Sequence, residues 1–262
     1  MESFFDDGTY IINQNFILNS NKEITANLII SSGVTFTIEK RGILEVTGNI
    51  TINGNLVIMA DNKDGIGVLI PNGSCNGNVT YKRYFDSGYH QICSPVDDCS
   101  ISEFCSVNED IMERDGPNYG LFRYTEQAEA WEQFNTSTVD QAGSFELGKG
   151  YLIIINGGYV VFVGSIAKQQ EDITTTIYSG WSFIGNPFTS YLAINFPEPH
   201  NFLTENLSKI SHSYNAAYIL SGDGAGYDMV NYASVKTSIG PCTGFWVYSD
   251  DIETILFSAK MR

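Results

Sequence analysis

Apolar and polar residues alternate in short runs through the first part of the chain: Leu28-Ile29-Ile30, Val34-Thr35-Phe36-Thr37-Ile38, Ile43-Leu44-Glu45-Val46, Ile50-Thr51-Ile52 and Leu56-Val57-Ile58. Between them stand Ser32-Gly33, Arg41-Gly42, Thr47-Gly48-Asn49 and Asn53-Gly54-Asn55. Period-two runs this short, with Gly and Asn at the corners, predict either turns of a β-solenoid or a series of hairpins. The regular spacing favours the solenoid. A short solenoid cannot bury its end faces alone, so residues 1–77 are expected to dock onto the rest of the chain.

Beyond residue 77 one stretch occurs twice. Gly88-Tyr89-His90-Gln91-Ile92-Cys93-Ser94-Pro95-Val96 and Gly180-Trp181-Ser182-Phe183-Ile184-Gly185-Asn186-Pro187-Phe188 share glycine, aromatic, Ile, small residue, Ser or Asn, Pro and apolar positions. The glycine releases a turn and a short strand comes next. Proline then stops it, because it lacks an N–H and holds the preceding residue extended. Further landmarks repeat in order, 94 to 96 residues apart: Trp131 with Tyr227, Gly150-Tyr151-Leu152-Ile153 with Gly244-Phe245-Trp246-Val247, and Phe162 with Phe257. The pattern predicts an all-β chain: a solenoid-like or hairpin segment at 1–77, then a β-sandwich-like module duplicated as 78–169 and 170–262, related by a pseudo-twofold. Residues 120–124 and 217–220 read as strands that turn back through Trp131 or Tyr227. Residues 151–155 and 159–163, joined by Asn156-Gly157-Gly158, read as the clearest hairpin. Helices are expected only at 100–105, where Ser100-x-x-Glu103 forms a capping-box pattern, and at about 202–210.

The same stretches resemble a known family. Gly88–Val96 is similar to the "GWhyiSSPv" segment, and Gly180–Phe188 to the "GWNLiGNPyps" segment, of large secreted proteins from Bacteroidetes-type bacteria. Gly148-Lys149-Gly150-Tyr151 resembles their "GkGYl" strand, Gly77–Tyr84 their "GnvtveRYi", Gly244–Val247 their "GFfV" and Asn53–Ile58 their "nGtLtI". In that family the module precedes a C-terminal sorting domain for type IX secretion, in exported and often adhesin-like proteins. The resemblance implies a secreted or cell-surface β module. Cys93 departs from the family's usual Ser, and no sorting domain follows Arg262 in the sequence.

Charge narrows the partners. With 30 Asp and Glu against 14 Lys and Arg, the formal net charge is −16, which repels nucleic acid and anionic membranes. No apolar run reaches the roughly 20 residues of a membrane-spanning helix. Met1–Asp7 lacks the basic start and apolar stretch of a signal peptide, leaving a cytoplasmic protein or an exported one whose signal is not part of this chain. Five cysteines, Cys75, Cys93, Cys99, Cys105 and Cys242, follow no zinc spacing and are expected as buried thiols, with room for one disulfide.

Candidate chemistry is sparse. His90, His200 and His212 stand in unrelated contexts, and no nucleophile elbow, P-loop or dinucleotide fingerprint occurs, so no metal, cofactor or catalytic residue is expected. Asp61-Asn62-Lys63-Asp64-Gly65 imitates the start of a calcium loop but lacks its bidentate Glu. Gly222-Asp223-Gly224-Ala225-Gly226 is too acidic for phosphate. The adjacent pairs Asp97-Asp98, Glu109-Asp110 and Asp250-Asp251 cannot flank a sugar as glycosidase carboxyls must, and read as solvated turns. Aromatics remain. Trp181 and Trp246 lie inside apolar strands and are expected in the core; Trp131, between Glu129 and Glu132, is the surface candidate for ligand binding. The reading is a non-catalytic, exported structural or adhesive module with an extracellular glycan or surface protein as partner. The alternatives are a carbohydrate-active enzyme or its accessory domain, and a purely architectural spacer.

Overall fold

The computed structural model describes residues 4–6, 8–61, 64–166, 172–196, 199–221 and 226–258. Strands hold 52% of the residues and helices 8%. From Thr9 the chain coils into a β-solenoid of about three turns. One face stacks Thr9–Ile12, Asn27–Ile30, Ile50–Ile52 and Cys75–Asn76; a second stacks Phe16–Leu18, Thr35–Ile38 and Asn55–Asp61; a third stacks Asn21–Ile24, Ile43–Val46 and Val68–Pro71. Every one of these pairings is parallel, which excludes the hairpin alternative for these runs.

The alternation seen in the sequence sets which side chains stack. In register, Leu18, Ile38 and Ile58 form one buried column and Ile12, Ile30 and Ile52 another. The corners bond each turn to the next: the Asn49 N–H donates to Asn27 Oδ1 at 2.9 Å, and the Ser74 N–H to Asn49 Oδ1 at 3.0 Å. Gly54 sits where a Cβ would fall 2.3 Å from the Ser31 carbonyl oxygen, so a side chain there would push two turns apart.

The strand Asn78–Phe85 joins this solenoid to the rest. On one edge it runs parallel to Asn55–Asp61, with Tyr81 opposite Ile58; on the other it runs antiparallel to Gly158–Ser165, with Tyr81 opposite Phe162. The solenoid face thus continues into the adjoining module as one six-stranded sheet, as the docking expectation required. Its Arg83 reaches further still, donating to the Pro241 carbonyl and to Thr243 Oγ1. Buried apolar residues of the solenoid and of residues 78–166, joined by Cys242, form one cluster, and others from residues 173–257 form a second.

After the solenoid, two sets of strands share the same order of pairing. Gly88–Ile92, Tyr151–Ile155, Asn118–Thr125 and Ala130–Asn135 lie side by side in one sheet. Gly180–Gly185, Gly244–Ser249, Ala217–Leu220 and Tyr227–Val230 lie in that order in another. Beside them, Asn78–Phe85 pairs with Gly158–Ser165 as Ile173–Ile177 pairs with Glu253–Phe257. The proline stops also match: Ser94 Oγ accepts from the Val96 N–H, and Asn186 Oδ1 from the Phe188 N–H, each closing a turn around the intervening proline.

Two expectations need correction. Residues 151–155 and 158–165 are strands, but they do not form a hairpin. Tyr151–Ile155 pairs with Gly88–Ile92 and Asn118–Thr125, whereas Gly158–Ser165 pairs with Asn78–Phe85. Gly157 and Gly158, at φ 91° and 145°, carry the chain from one sheet to the other, and both strands bury alternate residues. The second helix is also shorter than predicted, spanning Phe202–Glu205. The first, Ile101–Val107, is capped by Ser100 Oγ accepting from the Glu103 N–H, as its sequence pattern required.

Each helix ends on an asparagine with a structural task. Asn108 donates its amide to the Phe104 and Val161 carbonyls and accepts from the Val161 N–H. Asn206 does the same with Phe202 and Leu256. Each buried amide therefore stands in for a neighbouring strand. Asn108→Ala or Asn206→Ala leaves a backbone N–H and C=O of the facing strand without this partner, and should lower unfolding free energy by roughly 2–4 kcal/mol. Urea denaturation of each variant measures this; a loss below about 0.5 kcal/mol, the size of an ordinary surface substitution, would contradict the role.

Candidate functional site

Side chains on the outer face of the second half's sheet are aromatic at alternate positions. In a strand, residues two apart share a face. Trp181, Trp246 with Tyr248, Tyr218, and Tyr227 therefore line up on neighbouring strands, with Tyr218 directly opposite Trp246 and Trp181 opposite Tyr248. The inner face carries the buried Phe245, Val247, Ala217 and Ile219. Trp181 is 39% exposed and Trp246 half-buried, so neither is the core residue its apolar strand suggested.

The first half supplies the groove's other wall. Tyr124, at the end of Asn118–Thr125, meets Trp246 edge to face at 4.9 Å between ring centres. Tyr124, Trp181, Tyr218, Tyr227 and Trp246 together line an open cleft of about 400 Å³. Its rings brace one another: Trp181 lies 5.0 Å from Tyr218 and 5.3 Å from Tyr248, both near perpendicular, and Trp246 stacks on Phe183 at 4.6 Å. Edge-to-face contacts of this kind hold rings upright.

Trp131 is 41% exposed, as expected, but it does not line the cleft. Its ring packs against Tyr124, Phe183 and Trp246, so it supports the wall from behind. The wall is also tied down by charge. On the turn after Asn118–Thr125, Glu126 accepts from Lys149 Nζ at 2.7 Å with both side chains largely buried, and Lys149 lies in a bridge with Ile184 of the second half. Across the junction Gln91 accepts from the Leu220 N–H and donates to Tyr227 Oη. Sequence reasoning missed Tyr124, Tyr218 and Tyr227 because the cleft forms only when the two halves meet. The one local signal was the aromatic pair Trp246 and Tyr248, two apart in a strand.

The other candidates stay apart. His90 bonds the Asp86 carbonyl beside Phe85, where burial lowers its pKa, while His200 faces Glu205. Asp61 and Asp64 both approach Lys40 Nζ, at 3.6 and 3.0 Å; Asn62 and Lys63 lie outside the described residues. Residues 222–225 of the glycine-rich turn lie outside them as well. Asp98, Asp110, Asp250 and Asp251 are exposed, and Glu109 pairs with Arg114 at 3.2 Å. Among the described residues no three His, Cys, Asp or Glu side chains gather as metal ligands would. Comparison with protein families, with curated proteins and with solved structures finds no match to this chain.

All five cysteines are free thiols, and only Cys75 is less than fully buried. Burial pushes the Cys99 thiol up to about 11 and the Cys75, Cys105 and Cys242 thiols up to about 12, and raises Cys93 as well. The reactive thiolate is therefore scarce at neutral pH. In the native protein a disulfide reagent at pH 7 should label Cys75 first and slowly, the other four reacting only on unfolding. Rapid labelling of two or more thiols in the folded protein would contradict this burial.

Proposed function

We propose that this chain is a non-catalytic binding module of an exported or cell-surface protein, and that it takes a glycan in the aromatic cleft between its two halves. The observation that carries this reading is the cleft's lining: five rings from two halves, two of them tryptophans, held upright by contacts with further rings. A sugar presents axial C–H groups on its faces and hydroxyls at its rim. Exposed Trp and Tyr faces match the first, and the Tyr hydroxyls the second. A glycosidase would need two carboxyl groups flanking the bond it cleaves, whereas the described lining is wholly aromatic.

The export reading rests on the resemblance of 88–96, 180–188 and 148–151 to the secreted Bacteroidetes-type module, and the acidic surface is compatible with it. The matched strand order, the matched proline turns and the Asn108 and Asn206 brackets support a second proposal. In it the two halves are copies of one sandwich-like unit, whose junction created the cleft.

A glycan-array screen of the purified chain tests the binding claim. Saturable binding is expected, weakened roughly tenfold by Trp181→Ala or Tyr218→Ala through loss of a stacking face. Calcium should not matter, because the Lys40 ammonium already sits against both Asp61 and Asp64. If a folded wild type binds no glycan, or Trp181→Ala binds as tightly, the cleft is not a sugar site.

A further inference from the structure

The two halves differ at one strand edge. In the first half, Asn78–Phe85 is paired on both sides, by Gly158–Ser165 and by the solenoid strand Asn55–Asp61. Its counterpart in the second half, Ile173–Ile177, pairs with Glu253–Phe257, and among the described residues no strand pairs with its other edge.

Asn206 fixes which atoms face that edge. Both backbone polar groups of Leu256 are bonded to the Asn206 amide, on the side of Glu253–Phe257 away from Ile173–Ile177. Leu256 stands opposite Thr174, so this is a non-hydrogen-bonded pair of the antiparallel ladder. Thr174 and, two residues on, Thr176 therefore turn their N–H and C=O groups outward, away from Glu253–Phe257. In the first half Asn108 brackets Val161 in the same way, and Val161 stands opposite Lys82, whose outward backbone groups meet Asn55–Asp61.

The outward edge does not open onto bare solvent. It borders a cleft of about 620 Å³ whose opposite wall is Asp97 and the segment from Phe145 to Lys149. Leu147 gives that wall a half-buried apolar residue, Phe145 behind it being buried against Phe104, Tyr151 and Phe162. Asp97 and the exposed Glu146, which lies 4.0 Å from Arg123, give it carboxylates, and Lys149 is occupied by Glu126. We infer that Ile173–Ile177 is a β-augmentation site, which takes an extended peptide segment from another polypeptide as an added strand. The occupant is an apolar strand that buries alternate residues, as Asn55–Asp61 does at the matching edge, and carries basic residues toward Asp97 and Glu146. This cleft shares no lining residue with the aromatic one.

The probe is a synthetic peptide with the sequence of residues 55–60 flanked by lysines, added to the full chain. Binding should be saturable, and amide exchange at Thr174 and Thr176 should slow roughly tenfold or more, while Ile173 and Thr175, already facing Glu253–Phe257, change little. Thr174→Pro removes an N–H that faces outward, a place where strands tolerate proline, and should weaken binding roughly tenfold or more without loss of fold. Should that variant misfold, the exchange pattern of the wild type decides alone. Failure to bind at millimolar peptide, or binding that leaves the Thr174 and Thr176 amides unchanged, overturns the site. Self-association abolished by Thr174→Pro overturns the partner, giving the edge to a second copy of this chain.

Discussion

Everything in this molecule hangs on the strand Asn78–Phe85. It is the last strand of one solenoid face, an edge partner for Gly158–Ser165, and, through Arg83, a tether for the loop at Pro241–Thr243. A solenoid of about three turns has two exposed ends, and each presents strand edges and apolar side chains to water. Continuing its sheet into the next module satisfies one end with backbone hydrogen bonds. That solution has a consequence. One apolar cluster holds residues from Tyr10 in the solenoid to Ile166 in the first half, so the two stabilise each other.

The second half repeats the strand order without a solenoid of its own, and that difference creates both surfaces of interest. Where the first half spends its strand edge inside the fold, the second, among the described residues, leaves one edge of Ile173–Ile177 without a paired strand, beside a wall that carries Asp97 and Glu146. Where the halves meet, Tyr124 leans over the ring-covered face of the second sheet and turns a flat platform into a cleft. Neither surface exists in one half alone.

The solenoid was legible because its corners are local. Gly54 and Asn49 sit where a close backbone approach and a side-chain cap are required, and alternation in the runs between them fixes which residues point inward. The proline turns and the Ser100 cap were legible for the same reason. Pairing over long distance was not. Asn156-Gly157-Gly158 has the composition of a hairpin turn, but the same glycines serve a crossing between sheets, and period-two burial is identical in both cases. Trp181 was misread because an apolar strand beside a core looks the same whichever face its tryptophan takes. Trp131 was recognised as a surface ring, yet its role as a brace depends on Trp246, which is 115 residues further along the sequence.

Native-state hydrogen exchange tests the central claim, that the shared strand makes the solenoid and the first half one cooperative unit. The measurement compares amides of Ile58, Tyr81 and Phe162, neighbours across three strands of the continuous sheet. All three should exchange through one opening reaction with a common free energy and a common response to denaturant. If Ile58 opens at distinctly lower free energy while Phe162 stays protected, the solenoid is an independent appendage and the account fails.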